Sequence, residues 1–267
     1  QGQIVTTTLP VYEFTQQLCS GTDIQVAQLI TETVSCLHDY TLQVQQMQLL
    51  ENAEVVILSG AGLDDFVKDT LADSIVTVDA SENVALLCAE SHHDHSHEHT
   101  HDDGDPHIWL SPVNAKIMTE NIYAALCNAY PKHKAIFTEN LNILRKQFDD
   151  LVTYGNEQLA DIRHQEIITF HDGFAYLSDA FDLHILRAIE EESGSEASAQ
   201  EIIELISIID QHKIPAIFTE ENGTASTANI LNAEINIPVY ILDMAMSERS
   251  YFDAMYHNIN TLKEALQ

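Results

Sequence analysis

The chain has 267 residues, 45% of them hydrophobic, which is apolar material enough for one large domain or two of ordinary size. Only 11 Lys and Arg stand against 42 Asp and Glu, a formal charge of −31, which argues against nucleic acid and anionic lipid as partners and makes cations the natural counterparts of the surface. No run approaches the roughly 18 uninterrupted apolar residues that cross a bilayer, and Gln1 opens no charged and apolar signal segment, so the protein is expected to be either cytosolic or numbered after its signal was removed.

In chain order, residues 4–9 form a β-branched run bounded by Pro10, and helical spacing follows to Leu18, with a stop at Gly21. A second strand is predicted over 24–30 and a helix through Leu50. Val55-Val56-Ile57-Leu58 is a short, continuously apolar strand ended by Ser59-Gly60-Ala61-Gly62, and Val84-Ala85-Leu86-Leu87 is predicted as another. The two glycines after Leu58 lack the third glycine and the Lys of a phosphate-binding loop. Residues 112–129 read as a helix. From Pro131, apolar positions at Ile136, Phe137, Leu141, Leu144, Phe148 and Leu151 predict a helix of about 25–30 residues, about 40 Å long. The βα pattern then restarts, with strands over 167–170, 183–186, 216–219 and 239–242 and helices between and after them.

Continuous rather than alternating apolar strands indicate parallel sheets covered on both faces. The expected fold is α/β: two doubly wound (βα)4-type lobes, residues 1–130 and 163–267, joined by a long helix over 131–162, with a ligand cleft where the strand ends of the two lobes face each other. Such sheets bind ligands at the carboxyl ends of their strands.

The run His92-His93-Asp94-His95-Ser96-His97-Glu98-His99-Thr100-His101 lies inside the first lobe, in a loop over about 90–104. Six imidazoles among carboxylates cannot pack as a core but suit a divalent cation of borderline softness. His171 directly follows a strand, as do Glu220, at the end of its own, and Asp243. His38 falls in a turn between strand and helix, and His107 in a polar loop before a helix. Three histidines and a carboxylate on such loops supply the four ligands of a tetrahedral zinc site. His133, His164, His184, His212 and His257 have no such setting and read as ordinary surface residues. Trp109 reads as a core anchor. Cys19, Cys36, Cys88 and Cys127 show no CxxC spacing; two disulfides of undetermined pairing or free thiols both fit.

The segments His38-Asp39-Tyr40, Asp105-Pro106-His107-Ile108-Trp109-Leu110-Ser111-Pro112, Thr169-Phe170-His171-Asp172-Gly173-Phe174-Ala175-Tyr176, Phe218-Thr219-Glu220-Glu221 and Leu242-Asp243, with the His-rich insertion, resemble the cluster A-I metal-binding proteins of bacterial ABC importers, within them the zinc-specific, ZnuA-like branch. The resemblance implies a solute-binding protein that catalyses nothing, captures Zn2+ as its transported ligand and delivers it to a membrane permease. It implies a monomer outside the cytoplasm, in the periplasm or at the cell surface, with a lipid anchor on a residue outside this sequence as one form. By position it implies His38, His107, His171 and Asp243 as metal ligands, with Glu220, Glu221 or water as alternatives at the fourth. Asp243 is followed by Met244-Ala245-Met246, where the family usually has Pro or a similarly stiff residue. A zinc-dependent hydrolase is the reading from another class, disfavoured because HExxH is absent, and an importer component for Mn2+ or Fe2+ is the reading nearest to the first.

Overall fold

The structure, a computed structural model, describes residues 3–32, 37, 40–88, 104–189, 197–221, 223, 225–246 and 248–267. Its chain divides into two compact units, one formed largely by the residues up to Trp109 together with Val113–Phe148, the other by Leu110–Pro112 and Asp149–Gln267.

The first unit holds strands β1 (Gln3–Thr6), β2 (Gln25–Gln28), β3 (Val55–Leu58) and β4 (Val76–Asp79) and helices α1 (Leu9–Leu18), α2 (Val44–Glu51), α3 (Asp65–Lys68) and α4 (Pro112–Ala129). All pairings are parallel, in the order β2-β1-β3-β4, with Ile4 beside Val55 and Val55 beside Val76. β1 and β3 occupy the centre of the sheet. β3 is apolar along its length and β1 at its middle, and Ile4, Val5, Val56, Ile57 and Leu58 are fully buried. One expectation is corrected here. Residues 84–87 form no strand; the fourth strand is β4, and Leu86 is half exposed. β4 lies on the edge, so it needs only Val55 to Leu58 as partners and tolerates Thr77 and Asp79.

Helix α5 (Lys134–Leu159, 26 residues) follows a 3-10 turn at Pro131–His133. Its buried positions, Phe137, Leu141, Leu144, Phe148, Leu151, Gly155 and Leu159, recur at three and four residues, one continuous stripe. The first part of α5 belongs to the first unit, where Phe148 meets Phe14 edge-on at 5.5 Å; the part from Asp149 belongs to the second. Gly155 is required there, because a Cβ would stand 2.2 Å from the Phe181 ring.

The second unit repeats the topology. Strands β5 (Glu166–Thr169), β6 (His184–Ala188), β7 (Ile217–Glu220) and β8 (Val239–Leu242) run parallel in the order β6-β5-β7-β8, with α6 (Ala175–Ala180), α7 (Ala199–His212), α8 (Ser226–Ile235) and α9 (Tyr251–Leu266) between and after them. Ile168, Phe170, Ile217, Leu205, Ile209, Ala228 and Leu231 form one core cluster under α7 and α8. Both sheets therefore reverse their winding between the two central strands, β1 and β3 in one unit, β5 and β7 in the other, and the carboxyl ends there are where a doubly wound sheet binds its ligand.

Candidate metal site

In the first unit, His107 lies just before the 3-10 turn Ile108–Leu110 that leads into α4. Asp105 organises it. Its Oδ1 accepts the backbone N–H of His107 at 2.9 Å and lies 2.7 Å from the ring Nδ1. Both side chains are nearly buried, and the ring meets Trp109 edge-on at 5.5 Å. A carboxylate at Nδ1 selects the Nδ1–H tautomer, which places the lone pair on Nε2, as in the outer shell of zinc-bound imidazoles. Trp109 is a core residue, fully buried, and at once a wall beside His107. His38 lies outside the described residues. Its neighbour Tyr40 is anchored by Gln46, whose Nε2 donates both to the Tyr40 hydroxyl at 2.7 Å and to the Leu29 carbonyl at 2.8 Å.

In the second unit, the sheet order sets the site. His171 follows β5, Glu220 ends β7, and these are neighbouring strands, so His171 Nδ1 lies 3.8 Å from Glu220 Oε1. The ring is wedged: Phe174 meets it at 6.3 Å, and a Cβ on Gly173 would stand 2.7 Å from both its Cδ2 and Met244 Cε. Both histidines thus turn Nδ1 toward a carboxylate. Asp243 follows β8, one strand beyond β7, and is buried. Its backbone N–H donates to Asn258 Oδ1 and its carbonyl accepts Asn258 Nδ2, each at 2.7 Å. Its Oδ1 accepts the Ala245 N–H at 2.8 Å, closing an Asx-type turn with Ala245 in the left-handed region at φ 56°. That turn orients the carboxylate where a stiff residue would otherwise do so. Arg249 Nη1 donates to Asp243 Oδ2 at 2.9 Å and to Glu221 Oε2 at 3.0 Å. Burial and the adjacent Asp243 carboxylate hold Glu221 above the usual carboxylate range.

Among the described residues no three His, Cys, Asp or Glu side chains converge on one point, so the proposed ligands are seen as His107 in one unit and His171 and Asp243 in the other. The tract over about 90–104 lies, apart from Gly104, outside the described residues. Cys19, Cys88 and Cys127 are free thiols, Cys19 pushed up to about 12 by burial, and Cys36 lies outside the described residues. Two partners of the proposed ligands escaped the reading of the sequence. The role of Asp105 was hinted at by its place two residues before His107; that of Arg249 had only the signal of a rare cation six residues past Asp243.

The chain is 28% identical over 277 residues to the zinc-binding lipoprotein AdcA of Streptococcus pneumoniae, a match that takes in 98% of this chain and 55% of AdcA. It therefore spans about half the length of that relative. Among solved structures it is similar to the metal-dependent lipoprotein YcdH of Bacillus subtilis, with a TM-score of 0.85 at 25% identity over 100% of this chain and 99% of the other. It is equally covered by the Zn(II)-bound ZnuA-like domain of S. pneumoniae AdcA, TM-score 0.83 at 26% identity over 100% and 99%. The family model described as the periplasmic zinc-uptake complex component A matches residues 4–265, both sheets included, and the chain belongs to that family.

Proposed function

We propose that this protein is the zinc-capturing component of an ABC importer, working as a monomer outside the cytoplasm and handing Zn2+ to a membrane permease without catalysing a reaction. His38, His107, His171 and Asp243 are its ligands, and its domain boundaries lie near residues 130 and 163. The observation that carries the reading is the pairing of His107 with Asp105, repeated more loosely by His171 with Glu220: each ring turns Nδ1 toward a carboxylate, the arrangement in which a zinc-ligating imidazole presents Nε2 to the metal. Glu220 is then a partner of His171 rather than the fourth ligand. Imidazole nitrogens select zinc over Mg2+ and Ca2+, which want oxygen. Among the described residues no helix is long and apolar enough to cross a membrane.

Competition titration with a chromophoric chelator tests the assignment. His107→Ala and His171→Ala should each weaken zinc binding by more than about 100-fold, since even the outer partners of ligating imidazoles are worth about 10–100-fold. His184→Ala, on the exposed first position of β6, should change nothing. Equal losses at His184 and His171, or manganese or iron held in the tight site of protein purified without chelator, would overturn the reading.

A further inference from the structure

The Asp243 carboxylate is buried, and the group that engages it is partly exposed. Asp243 is held through its backbone by Asn258 and through Oδ1 by Ala245, and is itself buried. Arg249 comes from the loop between β8 and α9, directly before the α9 cap Ser250, and its side chain is 38% exposed. One nitrogen, Nη1, serves both Asp243 and the partly exposed Glu221. A buried carboxylate without a counter-charge is costly, so a tethered guanidinium compensates Asp243 when no metal is present. A divalent cation on the same carboxylate would face that guanidinium across one group, and like charges repel strongly where water does not screen them.

We propose that Arg249 is a resident counter-cation of the zinc site: it occupies Asp243 in the metal-free protein and withdraws toward Glu221 and solvent when zinc binds. It thereby weakens zinc binding and speeds release. One cation replaces another on Asp243, so the carboxylate is not left bare during hand-over. Glu221 is the second berth that keeps the guanidinium close. The inference rests on the reading that Asp243 is a ligand, and deepens it.

The test uses the whole chain with zinc as the probe. Arg249→Gln removes the charge while keeping a polar side chain, and should tighten zinc binding by about tenfold, the equivalent of one moderately buried charge pair, and slow release to excess chelator in stopped-flow. Arg249→Lys keeps the charge and should stay near the parent. In the Asp243→Asn background, Arg249→Gln should bring no gain. A purely structural Arg249 would give the opposite: Arg249→Gln would bind zinc no more tightly than the parent, or the gain would survive in Asp243→Asn, and either result overturns the proposal. If His107→Ala and His171→Ala still lose zinc while Arg249→Gln gains nothing, Arg249 fails and the zinc reading stands. If the histidine variants bind like the parent, the zinc site itself fails, and Arg249 with it.

Discussion

Asp64 shows how one side chain couples this fold to pH. It sits fully buried past the end of β3, its Oδ2 accepting the Thr7 hydroxyl and the Ser59 N–H and its Oδ1 the Gly60 N–H, so it ties the ends of β1 and β3 together. Burial outweighs those three bonds and pushes the carboxyl up to about 6, against about 3.9 in an unfolded chain. The folded protein then takes up the proton first. Stability of the metal-free protein should rise as pH falls from about 6 toward 4 and gain nothing further below, an effect on the order of 3 kcal/mol from this group. Asp64→Asn removes the titration and also loses acceptors, since one amide oxygen cannot serve Thr7, Ser59 and Gly60 as two carboxylate oxygens do. Urea unfolding in chelator at pH 7 and pH 4.5 should show the gap between the parent and the Asp64→Asn variant widening at the lower pH; a constant gap would rule the coupling out. Residues of this kind mark the limit of reading a sequence. His107, His171 and Asp243 could be singled out because each stands directly after an apolar strand or before a helix, where topology alone puts it at the edge of a sheet. Asp64 and Arg249 also precede helices, α3 and α9, but nothing in the sequence marks the turns across which their side chains reach.

Elements were legible where their periodicity was long or their apolarity continuous. The stripe of α5 has seven buried positions, so its length could be read directly, and the central strands carry the apolar runs that burial on both faces demands, unbroken in β3 and shorter, at Ile167-Ile168 and Ile217-Phe218, in β5 and β7. The same rule misled at residues 84–87, four apolar residues with no strand to pair with, and hid β4, whose Val76-Thr77-Val78-Asp79 is half polar because an edge strand faces water. Helix ends carry a separate prediction. Lys213 ends α7 in the left-handed region at φ 56°, its N–H donating back to Ile209 and Asp210. A residue with a Cβ is strained there by roughly 1–2 kcal/mol, and Gly is not. The ion pair of Lys213 with Asp210 is highly exposed and so contributes little. Lys213→Gly should therefore stabilise the second unit by about 1 kcal/mol, less the added freedom of the unfolded chain, read as a higher urea midpoint with unchanged slope. A lower midpoint would show that the lysine is held by something other than its backbone.

For the whole molecule the decisive quantity is charge. With −31 formally on 267 residues, the chain repels itself and attracts cations indiscriminately, so its acidic surface cannot by itself choose zinc. Choice must come from the imidazoles, and only a site formed in the native state links binding to folding. Zinc at 100 times its dissociation constant should add about 2.7 kcal/mol to the folded protein by mass action, a rise in melting temperature on the order of 5–10 °C at this size. Magnesium at the same concentration should give far less, because it finds too few oxygen ligands. Deleting residues 92–101 separates the two kinds of histidine. His107 and His171 are already oriented by Asp105 and Glu220, so the deletion should lower the number of zinc ions bound and leave the thermal shift from the tightest one intact. Calorimetric titration and thermal melts of the deleted protein measure both at once. Loss of the thermal shift would mean that the tract supplies a primary ligand, and the separation between an oriented site and a gathering loop would have to be given up.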